Sequence, residues 1–179
     1  LYCAGIASVA GDRFDSLSTI FTAPGSATSQ LSEKSSLLQS TAKAIPRLDE
    51  LFKRLPGYER YFTALSDYLF KLLQPRLDDL LFLGSGYEGA FDDFEILLAL
   101  SSADQGASAR EGRFWGPIGR FGWKENRSSD QPFSRLVAEA KRAGANWGPL
   151  RAGLFEGSIE RFKTAAEAFV PRLSREMYI

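Results

Sequence analysis

The sequence predicts an all-α protein, an irregular multi-helix bundle of about seven to nine helices, with room for one small β-hairpin or ordered loop near 113–123. Three observations carry this. Apolar residues recur at i, i+3, i+4 and i+7 in two long stretches, from Tyr58 to Leu73 and from Tyr87 to about Ser102, as on a helix with one buried face. Proline and glycine punctuate the chain at short intervals, so the helices are joined by brief turns and pack as antiparallel neighbours. Start and stop signatures mark further helices, as at Asp130-Gln131-Pro132 and Gly144.

In chain order, Leu1 to Ala10 is rich in small residues, Gly11-Asp12 signals a turn, and Phe14, Leu17, Ile20 and Phe21 follow at helical spacing. Pro24 closes this second helix. Gly5, Leu17 and Phe21 sit at the relative spacings of the glycine, small residue and aromatic of a tetratricopeptide repeat, so residues 1–24 resemble one such hairpin. Leu17 stands where the repeat carries a small side chain, and no second copy follows. The resemblance therefore implies an αα-hairpin rather than a repeat array.

Residues 25–36 are polar and small and read as a loop. A helix is expected within Leu37–Ile45, with Pro46 opening another through Leu55 and Pro56-Gly57 ending it. Tyr58, Tyr61, Phe62, Leu65, Leu69, Leu72 and Leu73 mark the next buried stripe. Pro75 opens a short helix that stops at Gly84-Ser85-Gly86, and Tyr87, Phe91, Phe94, Leu97 and Leu98 form the following one. Residues 106–129 lose the helical period. Helices resume with Phe133, Leu136, Val137 and Ala140 inward, then a short one from Trp147 to Phe155 with Trp147 as its core anchor. Ser158 caps the last helix, which Pro171 should bend or end.

Composition bounds the function. At 179 residues, with 44% hydrophobic and 25% charged residues, the chain suits a single helical domain, and wholesale disorder is excluded. It opens with Leu1 and its only methionine is Met177, so a domain excised from a larger protein is expected. There are no histidines, which rules out Ser-His-Asp and Cys-His devices and histidine zinc sites, and one cysteine cannot build a thiolate cluster. No cofactor, metal or catalytic residue is expected. No secretory signal or membrane-spanning run is visible, and a lone cysteine fits a reducing, cytoplasmic setting. The net charge is zero, yet residues 1–105 carry 9 basic against 14 acidic side chains and residues 106–179 carry 13 against 8. The chain thus divides into an acidic helical half (1–105), a Gly/Arg/aromatic loop (106–129) and a basic helical half (130–179). Either the halves attract each other, or the basic one docks an acidic partner.

The most distinctive motif runs from Gly112 to Lys124, where Gly112-Arg113-Phe114 returns as Gly119-Arg120-Phe121. Arginines neutralise phosphates and aromatics stack on bases, so Arg113, Phe114, Trp115, Arg120, Phe121, Trp123 and Lys124 form a candidate binding segment for single-stranded nucleic acid. The alternative is that these aromatics tuck into the helical core. Glu88, Asp92 and Glu95 share one helix face, which reads as a solvated acidic surface with some charges paired to the basic half; an enzyme reading would use carboxylates alone, such as Glu88 with Asp92. Gly84 to Gly89 lacks the lysine of a phosphate loop and reads as a helix–helix turn. Cys3 reads as a buried thiol.

The leading expectation is a non-catalytic protein-interaction or regulatory domain, bound to a protein partner or to other domains of its own chain and not to a membrane. A nucleic-acid-binding module using 112–124 is the alternative, and a carboxylate-only enzyme the third. The texture of the chain is similar to C-terminal helical regions of bacterial multidomain defence or sensor proteins, which implies a bacterial regulatory setting.

Overall fold

The computed structural model describes residues 1–25, 36–108, 116–127 and 129–175, without the side chains of 107–108, 126–127 and 174–175. Among the described residues it is all-α. Nine α-helices follow in order: α1 (Tyr2–Ala10), α2 (Phe14–Thr22), α3 (Leu37–Phe52), α4 (Ala64–Leu81), α5 (Gly86–Ser108), α6 (Phe121–Arg127), α7 (Pro132–Ala143), α8 (Gly148–Arg151) and α9 (Ile159–Arg175). Two short 3-10 turns flank α8. No strand is present among these residues, only one isolated bridge between Pro24 and Ser36.

α5 is the axis of the bundle. Its apolar residues surround it on every side, and its carboxylates Asp92 and Glu95 are buried with them, so the helix is enclosed by its neighbours. Phe91, Phe94, Ile96, Ala99 and Leu100 are wholly buried, and α1, α3, α4, α7 and α9 pack around them. The close approach of α1 rests on Gly5, where an added Cβ would lie 2.1 Å from the Phe94 ring. The helical hairpin at the N-terminus is thus as expected, and its glycine serves contact with α5.

Several boundaries differ from expectation. α3, α4 and α9 run through Pro46, Pro75 and Pro171 without a break. All three rings are exposed, which keeps the missing N–H toward solvent, while buried residues on the opposite faces hold the helices. Tyr58 to Thr63 is not helical. Gly57, at φ +86°, turns the chain, and two successive turns carry Tyr58 and Tyr61 onto the side of α4. There Tyr58 packs on Tyr68 and the Lys71 ammonium covers both Tyr58 and Tyr61, so this aromatic spacing belongs to a clamped turn. Conversely, 121–127 is helical although the sequence shows no period there. The expected helix from Trp147 to Phe155 is cut short at Arg151, where Gly153 (φ +89°) leads into a 3-10 turn; Trp147 is buried as anticipated.

Candidate functional site

The charged residues singled out in the sequence meet at one place, where residues 116–127 lie across α5. Gly116 and Gly119 press their backbone onto that helix: added Cβ atoms would sit 2.1 Å from the Ala99 carbonyl oxygen and 2.0 Å from Glu95 Oε2. The close approach delivers the Arg120 N–H to Ser66 Oγ at 2.9 Å and to Glu95 Oε2 at 3.1 Å. Ser66 Oγ donates to Glu95 Oε2 at 2.9 Å and the Tyr2 hydroxyl to Glu95 Oε1 at 3.0 Å. Three elements and the crossing segment are thereby tied to one carboxyl. Burial drives the Glu95 pKa up to about 8, because those donors replace only part of the water it has lost.

One turn earlier on α5, Arg120 and Lys124 descend on Glu88 and Asp92. Arg120 Nη2 donates to Glu88 at 2.8 Å, and its guanidinium lies 3.5 Å above the Phe70 ring. Lys124 Nζ pairs with Asp92, with Glu88 at 3.1 Å and with Asp130 at 3.4 Å. Burial raises the Asp92 pKa to about 6, opposed by Lys124 and Arg120. Burial also works against the Lys124 ammonium, but Asp92 and Glu88 together hold its pKa above the ordinary value. Arg120 Nε and Asp92 Oδ1 stand 3.5 Å apart as an ion pair, and among the described residues neither atom has a hydrogen-bond partner.

The acidic face of α5 is therefore not solvated. Asp92 is 0% and Glu95 2% exposed. The sequence suggested a surface because carboxylates are seldom buried; here cations of the C-terminal half cover them. The same logic continues along the helix, with Asp93 bound to Arg135 at 2.6 Å and Asp104 to Arg161 by two contacts of 2.9 Å. Part of the charge asymmetry of the chain is thus paired internally. Cys3 is likewise a correction: the residue is exposed, where a buried thiol was expected.

Of the candidate binding segment, Arg113, Phe114 and Trp115 lie outside the described residues. Phe121 is fully buried and stacks 6.3 Å from Phe169; Arg120 and Lys124 are enclosed in the ion pairs just described, and Trp123 is half-buried beside Arg120. The structure thus brings Arg120 and Lys124 together with Glu88 and Asp92, and turns them inward. The recess beside Glu95, lined also by Tyr2, Ser66 and Gly119, has room for about one water molecule. Among the described residues no group of three acidic or thiol side chains is placed to hold a metal ion. None of their helices is long and apolar enough to cross a membrane.

The sequence reading missed what lies at the surface. At the turn between α4 and α5, Leu80 is 73% and Phe82 88% exposed, and Leu81 between them is exposed as well. This turn is built firmly. Phe82 ends α4 in the left-handed region at φ 53°, its N–H bonded to the Asp78 carbonyl, and the Asp78 carboxylate accepts from the Gly84 N–H at 3.0 Å. A left-handed phenylalanine costs about 1–2 kcal/mol, and a glycine there would avoid it. The signal was present in Leu80-Leu81-Phe82-Leu83: four consecutive apolar residues exceed what one helix face can bury.

No protein-family model matches the chain, and no curated protein and no solved structure matches it.

Proposed function

We propose that this chain is a non-catalytic protein-interaction domain, a helical adaptor or regulatory module of a larger protein, that engages its partner through the turn between α4 and α5. The observation that carries the reading is Phe82: a bulky apolar side chain, 88% exposed and held in a strained backbone conformation by a capped turn. Exposed aromatics of this kind, pre-ordered so that little entropy is lost on docking, are the anchors of protein interfaces. Their exposure is a cost to the free domain that a partner removes. The remaining titratable groups support the same reading. Among the described residues the charged cluster on α5 opens only on a recess of about one water, and its ion pairs fasten 116–127 to the core. A cytoplasmic setting belongs to the proposal, since the exposed Cys3 thiol suits a reducing compartment.

The test is Phe82→Ser. The variant should melt at the wild-type temperature or above it while losing one protein that co-purifies with the wild type, as read by quantitative mass spectrometry. Retention of every co-purifying protein would refute the assignment. Titration with single-stranded oligonucleotides, followed by Trp123 emission, addresses the nucleic-acid alternative, which predicts salt-sensitive quenching.

A further inference from the structure

We infer that the outer face of α3 is a second docking surface, and that its occupant is an acidic amphipathic helix. It is separate from the turn that carries Phe82 and does not depend on it. α3 buries Leu38, Ala42 and Ile45 against the core. Its opposite side presents two adjacent rows. One is apolar: Ala44, Leu48 and Leu51, at i, i+4 and i+7, with Leu48 40% and Leu51 56% exposed. The other is cationic: Lys43 and Arg47, one turn apart, both exposed and neither with an anionic partner among the described residues. The acids nearest in sequence, Asp49 and Glu50, are held by Lys53 at 3.2 and 2.8 Å. Like charges at i, i+4 oppose helix formation, so nothing local accounts for this pair.

The surface selects its partner by shape and charge. Ser40, Lys43, Ala44, Arg47 and Leu48 form one open face along the helix, against which the ridge of another helix can pack. An occupant with leucines over the apolar row and carboxylates over Lys43 and Arg47 satisfies both rows at once. From Lys43 to Leu51 the stripe is about 12 Å long, so two to three turns of a partner cover it. A membrane surface fits less well, because an interfacial helix needs a broad apolar face and this side of α3 offers only the two exposed leucines Leu48 and Leu51. A nucleic acid fits less well too, since the stripe holds no aromatic on which a base could stack.

The probe is a fluorescein-labelled, hydrocarbon-stapled 14-residue peptide with leucines at i, i+4 and i+7 and glutamates flanking them. Its scrambled isomer, its Glu-to-Lys counterpart, phosphatidylserine vesicles and a single-stranded oligonucleotide serve as comparisons. The expected result is saturable micromolar binding of the acidic helix, weakening about tenfold between about 50 and about 300 mM salt. Lys43→Glu with Arg47→Glu should reduce that binding by at least about tenfold and confer binding to the lysine counterpart. Both positions are exposed and have no ion-pair partner among the described residues, so circular dichroism and melting should not change; Leu51→Ser, which keeps the charges, provides a second variant with weakened binding. Equal binding of the scrambled isomer, binding unaffected by the charge reversal, or tighter binding to vesicles or oligonucleotide would each overturn the proposal. Phe82→Ser should leave peptide binding intact, so failure here and failure at the α4–α5 turn are read separately.

Discussion

Glu95 should make this protein less stable as the pH rises through neutrality. Its carboxyl is 2% exposed and its pKa lies near 8, against an ordinary 4.5. Between those values the folded chain holds a proton that the unfolded chain releases, so stability is fully present below about pH 4.5 and falls as pH rises toward 8. Each pH unit in the window is worth about 1.4 kcal/mol, giving a ceiling of about 5 kcal/mol for the whole interval. Asp92, raised to about 6 by burial against Lys124 and Arg120, adds a slope of the same sign below pH 6. Glu95→Gln removes the Glu95 part alone: an amide can keep the Ser66 and Arg120 N–H donors on its oxygen and donate to the Tyr2 hydroxyl, which rotates to accept. Urea unfolding from pH 5 to pH 9 is the assay. Wild type should lose several kcal/mol across the range, and Glu95→Gln should show a much flatter profile above pH 6.5. A flat or rising wild-type profile, or an unchanged slope in the variant, would refute the assignment of a neutral carboxyl holding the crossing segment.

The glycines and the ion pairs give further outcomes. Gly116→Ala should cost about 3 kcal/mol, because its methyl meets the Ala99 carbonyl rather than a side chain that can turn aside, whereas Gly89→Ala, with open space around it, should gain about 0.5–1 kcal/mol; chemical denaturation compares them. Lys124→Met should cost about 3–5 kcal/mol at pH 7 by leaving Asp92 buried with less compensation, and adding Asp92→Leu should recover most of the loss, as a double-mutant cycle will measure. Phe82→Gly should raise stability by about 1 kcal/mol or less, since it relieves a left-handed residue that buries almost nothing, and thermal melting detects this.

The helices with one apolar stripe were legible in the sequence because period alone identifies them, as in α2, α7 and α9. α5 was legible for its aromatics, but not its role. A helix surrounded on all sides leaves no stripe to read, and Glu88, Asp92 and Glu95 look solvated until Arg120 and Lys124 arrive from 25 to 36 residues away in the chain. α6 was invisible for the same reason: its residues satisfy α5, and their pattern follows that contact instead of a helical period. Pro46, Pro75 and Pro171 misled because local propensity was overruled by packing on the opposite faces. The charge counts left two readings open, attraction between the halves or docking of an acidic partner, and the pairs Arg135–Asp93 and Arg161–Asp104 follow the first. The display of Phe82 was not, since exposure depends on what fails to cover a residue.

The proposal that the α4–α5 turn is an interface is tested most directly by photo-crosslinking in the native cells. A benzophenone analogue of phenylalanine is placed at position 82, and separately at the exposed Glu167 on α9 as control. The account predicts a discrete protein adduct at position 82 that is absent at 167 and is identifiable by mass spectrometry. No adduct at 82, or the same diffuse set at both positions, would contradict it.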